Sequence, residues 1–304
     1  MEKFLKEWKS VSDDTVAIAS SIGNEILKNA ENVETKISSE HTLEFKEGSF
    51  FYDVNGLLGK IDKLEIYYTI YYCEDEKDYN YLHNSGALIC DANYEEEYID
   101  ITAAYINGIL QNDYIDNIHH EINHLLQYGN DFTKSNRSSN LYETAVKIAQ
   151  NKTLPIGYKI PSLLIYYTFR HEVDSFAVQF YSMIKRTFNR ANEIDTPEGF
   201  SKCLNMFQPY LNLKTSLRMY NERINKPDVK NGILALKIKP ETFEHRIDKG
   251  VTRFTNKMRH VFQRCCIELR RGHSNEWIFR RIPMLYEKYG HIREGFERAY
   301  VINE

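Results

Sequence analysis

Residues 119–128 run His-His-Glu-Ile-Asn-His-Leu-Leu-Gln-Tyr, and this segment carries the strongest structural signal in the chain. It contains the HExxH sequence His120-Glu121-Ile122-Asn123-His124. Histidines four positions apart lie one turn apart on the same face of an α-helix, so both imidazoles can reach one metal ion. The glutamate beside the first histidine flanks that ion, where it can take a proton from a bound water. The pattern predicts a metal site on a helix.

The sequence around this segment supports a helix over about 113–128. Asn112 or Asp113 can cap its start, and Gly129 can end it. His119 points about 100° away from His120, so we expect a surface or supporting residue there rather than a ligand. On a helical wheel His120 and His124 lie nearly opposite an apolar cluster formed by Tyr114, Ile115, Ile118, Ile122 and Leu125.

A catalytic zinc usually has three protein ligands and a water, so a third ligand must come from elsewhere in the chain. Two glutamates compete for this role. Glu143 follows His124 after eighteen intervening residues, but Asn140 and Glu143 also have the spacing of a helix-capping pair. Glu172 borders the apolar stripe of a helix predicted over 161–188, and a buried carboxylate there needs a partner such as a metal ion. We favour Glu172, with Glu143 as the open alternative.

Two segments resemble known metalloproteins. Residues 119–128 are similar to the active-site helix of small gluzincin-type zinc metallopeptidases, and residues 166–176 look like the glutamate helix of bacterial and phage zincin-like proteins. The resemblance covers about 98–188. It implies one Zn²⁺ per chain held by His120, His124 and Glu172, with Glu121 as the catalytic base and a peptide or protein as the substrate.

The resemblance also implies supporting groups. Ser175 holds a small-residue position three residues after the glutamate, and Asp174 either orients a ligand histidine or is an exposed helix residue. A strand near 99–103 should form a sheet edge beside the cleft, where an extended peptide can add by main-chain pairing. The candidates for stabilising the developing oxyanion include Tyr166, Tyr167 and His245.

Periodicity along the chain predicts an α+β fold, a small and mostly antiparallel sheet followed by a helical body, of zincin-like type. A helix begins near residues 13–14, and strands follow at 64–72, 87–90 and 98–103. Further helices are predicted at 141–150, 161–188, 198–225 and 240–271. We divide the chain into an N-terminal helix and sheet at 1–108, a segment at 109–190 that completes the catalytic core, and a basic helical region at 191–304.

Composition narrows the function classes. Hydrophobic residues make up 42% and charged residues 27%, which is typical of a globular protein and argues against disorder. The sequence has no long apolar run, and its five cysteines form no CxxC pair. The charged N-terminal residues lead into no apolar segment, so we expect no secretory signal and predict a cytoplasmic protein with reduced thiols and no membrane partner.

The charge distribution leaves rival functions open. Residues 246–298 contain thirteen lysines and arginines against six acidic residues. This excess is typical of solvated helix faces, and it also suits a protein partner or, less well, nucleic acid, because no RNA-binding or zinc-finger pattern accompanies it. A zincin-like structural or binding protein without catalysis, such as a phage particle component, is another alternative. HExxH does not by itself identify the scissile bond.

Overall fold

A computed structural model describes residues 18–58, 61–85, 88, 90–93, 95–106, 109–110, 113–129, 140–188, 194, 196 and 198–269. The predicted α+β fold is confirmed, with a mostly antiparallel sheet followed by helices. Contacts divide the chain into two compact units, Met1–Thr133 and Lys134–Glu304. The division into functional segments at 108 and 190 stays a prediction.

The first unit contains the sheet and the helix that carries the HExxH sequence. The strand predicted at 64–72 is confirmed within β3, and the helix predicted over 113–128 is confirmed as α3. The start of the first predicted helix lies outside the described residues. In chain order the elements are α1 (18–31), β1 (Lys36–Ile37), β2 (Glu44–Leu58), β3 (Ile61–Cys73), α2 (Glu76–Ser85), β4 (Cys90–Asn93), β5 (Tyr98–Ile106), β6 (Ile109–Leu110) and α3 (Asp113–Gly129).

The strands pair in the order β1-β2-β3-β5-β4, and β6 pairs with β5. Among the described pairs, only β3 with β5 is parallel. The expectation that the strand at 99–103 forms an edge is wrong, because β5 bonds β3 on one side and β4 on the other. Within the described strands, β4 rather than β5 is the outermost strand on this side of the sheet. The strand predicted at 87–90 overlaps it only at Cys90, and residues 87 and 89 lie outside the described residues.

The core of the first unit lies between one face of the sheet and two helices. Alternate residues of β3, such as Leu64 and Ile66, are fully buried, as the period of two predicts. They belong to one cluster with apolar residues of α1 and with Ile118, Ile122 and Leu125 of α3, each with no exposed surface. Burial of this apolar face fixes the rotation of α3 about its axis, which determines where the two histidines point.

The second unit is helical in its described part. The helix predicted over 161–188 is wrong as one element, because Phe169 adopts an extended conformation (φ −68°, ψ 143°) and separates two helices. The prediction over 198–225 is likewise divided. The elements are α4 (Asn140–Gln150), α5 (Ile156–Thr168), α6 (Arg170–Thr187), α7 (Gly199–Asn205), α8 (Gln208–Arg223), α9 (Pro227–Ala235) and α10 (Pro240–Leu269).

Helix α5 lies against α4, α8, α9 and α10, and α10 also packs along α6. Gly250 of α10 permits close packing, because a Cβ at this position would lie 2.3 Å from the Cβ of Thr168 at the end of α5. Large apolar residues with no exposed surface fill the contacts between the helices, including Phe180 on α6 and Phe254 on α10. These contacts hold the short segment around Phe169, which leads into the glutamate of the candidate site.

Candidate metal centre

The two histidines of the HExxH sequence face each other on α3. The Nε2 atoms of His120 and His124 lie 3.0 Å apart, and their rings meet edge to face with centroids 4.6 Å apart. Both residues are buried, with 5% and 6% of their surface exposed. The two ring nitrogens are within hydrogen-bonding distance of each other, and one shared cation between them would replace that contact.

Helix α3 is buried on more than its apolar side. His119 has no exposed surface, which excludes the surface position that the sequence left open for it. Its neighbours Ile118 and Ile122 lie in the sheet core, and α3 packs against β4 and β5. The histidine pair is therefore carried by a helix that packing holds in place, so little conformational entropy remains to be lost when a ligand binds.

Glu121 is half-buried and lies close enough to β4 to affect a side chain there. Burial raises the pKa of the Cys90 thiol well above its ordinary value, and the negative charges of Glu121, Asp91 and Asp100 raise it further. Burial, together with the charge of Asp91, also raises the pKa of Asp100. Three carboxylates thus lie near Cys90 on the strand that packs against α3, and their combined potential favours a cation there.

Glu172 lies in the first turn of α6, immediately after the break at Phe169. Only 3% of its side chain is exposed. The start of α6 follows from local contacts, since Thr168 turns its hydroxyl back to donate to the carbonyl of Leu164 (2.7 Å) and Phe169 leaves the helical conformation. The positive end of the α6 dipole lies at this turn and favours the ionised form of a carboxylate there.

Two aromatic side chains contact the Glu172 carboxylate. The hydroxyl of Tyr142 on α4 donates a hydrogen bond to Oε1, and Nε2 of His171 lies 3.2 Å from the same oxygen. The rings of Tyr142 and His171 also meet edge to face, with centroids 4.4 Å apart, and Phe169 packs on both. This cluster fixes the position of the carboxylate, as supporting residues do around metal ligands.

His120, His124 and Glu172 form the one His/Cys/Asp/Glu group in the described residues with the spacing of a metal site. Their potential ligand atoms all lie within 4.8 Å of one another, and all three residues are buried. Glu143, the rival third ligand, is exposed on α4 and is not part of the group. These three residues could hold one metal ion.

The donor set fits a transition metal. Two imidazole nitrogens and a carboxylate oxygen are a common zinc set, and they leave a fourth position for water or substrate. Ligand nitrogens about 2.0–2.1 Å from a tetrahedral zinc lie about 3.3 Å apart, close to the 3.0 Å between the two Nε2 atoms. The set also suits the buried setting, because a divalent cation would balance the charge of the Glu172 carboxylate.

The predicted supporting residues lie near Glu172 in sequence, and their roles stay predictions. Asp174 is partly exposed and forms an ion pair with Lys257 of α10 (2.7 Å). Ser175 has no exposed surface. Among the candidates for the oxyanion-stabilising group, Tyr167 has a pKa raised to about 12 by burial and bonds Asn212, and His245 is exposed on α10.

Sequence reasoning did not identify Tyr142 and His171 as neighbours of Glu172. On the helix predicted there, His171 points away from the glutamate, and in α6 the two adjacent side chains nevertheless approach to 3.2 Å, which a helical wheel does not predict. Tyr142 belongs to another helix, so its contact depends on tertiary packing. The one local indication is that Tyr142 precedes Glu143, the alternative third ligand, so the sequence already considered this helix as a neighbour of the site.

Comparison with protein-family models, with curated proteins and with solved structures gave no match at the level that shows a relationship. The assignment of the site therefore rests on its own residues and their geometry. No helix in the described residues combines the length and apolar character needed to cross a membrane.

Proposed function

We propose that this chain is a zinc-dependent metallopeptidase of the HExxH…E type. The observation that carries the proposal is the buried group of His120, His124 and Glu172, whose ligand atoms lie within 4.8 Å of one another. A structural zinc site would require only the ligands. Glu121, adjacent to the first histidine, adds a carboxylate of the kind that a hydrolytic site needs as a general base.

Five residues have a role in this proposal. His120, His124 and Glu172 hold the ion, and Tyr142 keeps the Glu172 carboxylate in position through its hydrogen bond. A zinc ion held there would supply Lewis acidity for the attacking water and for the scissile carbonyl. Glu121 takes the proton from the attacking water and later delivers it to the leaving amine, so the proton balance closes within one side chain.

The edge strand β4 supports a peptide as the substrate. Its residues Cys90–Asn93 pair with β5 on one side, and α3 packs against the same strand. Within the described strands, the other side of β4 is not paired. An extended peptide could add to this edge through main-chain hydrogen bonds, which would hold a scissile bond in an extended conformation beside the HExxH helix.

The proposal is tested with the Glu121→Gln variant and a mixture of peptides of random sequence. Wild-type protein reconstituted with zinc should cleave peptides, and a chelator should abolish cleavage. Glu121→Gln should lower kcat/KM by about 10²–10⁴-fold, because the proton acceptor is lost while the three ligands remain. Mass spectrometry of the products measures both the rate and the cleavage position.

The matched control is Glu143→Gln, the same substitution at an exposed glutamate of α4, which should leave the rate unchanged. If the wild type binds zinc but cleaves no peptide, the peptidase proposal is wrong, and a catalytically idle binding or structural role becomes the better account. If cleavage persists at the wild-type rate in Glu121→Gln, the base is wrongly assigned.

A further inference from the structure

The second unit contains a cavity of about 460 Å³ that the peptidase proposal does not use. The end of α5, the start of α6 and the N-terminal half of α10 form its walls. Its volume falls in the range of small-molecule binding sites. The lining residues are Ile165, Thr168, Phe169, Arg170, Thr242, His245, Arg246, Lys249 and Arg253.

The charge of this cavity is uniformly positive. Four of its lining residues are arginine or lysine, one is histidine, and none is acidic. In the described part of the chain, none of the four cations forms an ion pair with an aspartate or a glutamate, whereas other cations of this unit, including Lys185, Arg223, Lys257 and Arg264, do. All four residues are exposed, so solvent weakens their mutual repulsion, and a bound anion would relieve the part that remains.

The basic and acidic residues in the first half of α10 lie on different faces of the helix. Thr242, His245, Arg246, Lys249 and Arg253 follow spacings of three and four residues, which places them on one side of the helix and in the cavity wall. The acidic residues of the same segment act elsewhere. The pKa of Tyr220 on α8 is raised to about 12, first by burial and then by the charges of Glu244 and Asp248. The part of the positive lining that α10 contributes therefore comes from one face of that helix, and Arg170 of α6 adds to it.

Packing holds the walls of the cavity at fixed positions. Gly250 permits the close contact between α10 and Thr168, and Nη1 of Arg253 donates to the Thr168 carbonyl across the same contact (3.4 Å). The end of α5 and the start of α6 both reach the wall, so their dipoles contribute opposite signs there. The side-chain charges therefore determine the potential inside the cavity.

We propose that this cavity binds a small molecule that carries a phosphate group. Guanidinium groups bind phosphate oxygens with two parallel hydrogen bonds, and lysine binds them as a point charge. Four cations in one cavity suit a ligand with two or more negative charges. The aliphatic and aromatic surfaces of Ile165 and Phe169 would contact the part of the ligand that carries no charge.

The experiment is calorimetric titration of the full-length protein, freed of metal, with inorganic pyrophosphate at low salt. Metal-free protein is used because pyrophosphate also binds zinc. We expect saturable binding that weakens as sodium chloride is added. Arg246→Ala and Lys249→Ala should each weaken it by about tenfold or more, which corresponds to one lost charge-assisted contact.

The matched control is Arg218→Ala on α8, which removes an arginine whose side chain is 71% exposed and lies outside the cavity. It should leave the dissociation constant unchanged. The absence of saturable binding up to about 10 mM, or equal weakening by Arg218→Ala, would overturn the proposal. Citrate binding as tight as pyrophosphate would overturn the phosphate assignment, and so would oligonucleotide binding through Arg246 without pyrophosphate binding. None of these results depends on whether the chain cleaves peptides.

Discussion

Two glutamates of the second unit, the buried Glu172 and the partly buried Glu268, have contrasting surroundings. Glu268 on α10 contacts two cations, with Nε of Arg264 2.6 Å from Oε1 and Nζ of Lys185 3.1 Å from Oε2. Tyr181 also donates to Oε2 (2.6 Å). Glu172 on α6 contacts a tyrosine and the imidazole of His171, and its ligand atoms lie near those of two further histidines.

The difference explains why only one of these carboxylates marks a metal site. Ammonium and guanidinium groups carry a permanent charge and no lone pair, so they neutralise a carboxylate and cannot bind a metal. A neutral imidazole has a lone pair and no charge, so it binds a metal and leaves the carboxylate to be neutralised by the ion. The charge of Glu268 is balanced by side chains of the protein itself. Glu172, together with His120 and His124, instead has the donor atoms of a metal site, and a bound ion would balance its charge.

The largest expected effect is on zinc affinity, which should fall when Glu172 is substituted and not when Glu268 is. Glu172→Gln should lower the affinity for zinc by more than about 100-fold, because the loss of a direct ligand should exceed the cost of losing a supporting residue. Glu268→Gln should leave it unchanged. Competition with a chromophoric chelator measures both constants. Equal affinities in the two variants would remove the distinction between the two carboxylates.

The substitution at Glu268 should also lower the stability of the protein. Glu268→Gln leaves Arg264 and Lys185 without their shared counter-charge, and we expect the free energy of unfolding to fall by about 2–4 kcal/mol. The measurement is urea unfolding of metal-free protein. The control is Glu222→Gln, which breaks an exposed pair with Arg218 and should cost less than about 1 kcal/mol. A loss at Glu268 no larger than this control would show that these partly buried ion pairs do not stabilise the fold.

A smaller effect is expected when the support of Glu172 is removed while the ligand is kept. Tyr142→Phe retains the ring packing against His171 and deletes the hydroxyl that donates to Glu172. Zinc affinity should fall by about 10–100-fold, with no loss of fold by circular dichroism. The control is Tyr158→Phe, a partly buried tyrosine on α5 that is not part of this cluster. An unchanged affinity in Tyr142→Phe would show that the hydroxyl does not position the ligand.

The smallest effect concerns pH. Burial alone would raise the pKa of Glu268, but Arg264, Tyr181 and Lys185 lower it below its ordinary value of 4.5. A depressed folded-state pKa contributes stability that is present above the unfolded value and is lost as pH falls through the folded value. The stability difference between wild type and Glu268→Gln should therefore shrink below about pH 4.5. Urea unfolding from pH 7 to pH 3 measures it, and a constant difference would contradict this assignment.

Local periodicity in the sequence predicted the features that depend on neighbouring residues. The spacing of His120 and His124 predicts that they share one helix face, and the alternation of residues in β3 predicts which side of the strand is buried. An apolar stripe gives the burial of Ile118 and Ile122 in the sheet core. In each of these cases the physical cause lies within one turn or one strand, so a short segment contains the information.

Features that depend on distant contacts could not be obtained in this way. No glycine or proline marks the helix break at Phe169, so the apolar stripe runs through it in the sequence. The edge position of β4 depends on the order in which strands pair, which a parallel pair between β3 and β5 decides. The hydrogen bond from Tyr142 to Glu172 joins two helices thirty residues apart in the chain. Tertiary packing determines all three.

The most direct test of the metal centre is elemental analysis of purified wild-type protein beside variants of the site. We predict about one zinc per chain, lost in His124→Ala and Glu172→Ala and kept in Glu143→Ala and Glu121→Gln. The two retained variants separate loss of a ligand from loss of an exposed glutamate or of the catalytic base. A wild type that binds no metal at neutral pH, or a zinc that survives Glu172→Ala and disappears in Glu143→Ala, would contradict the assignment.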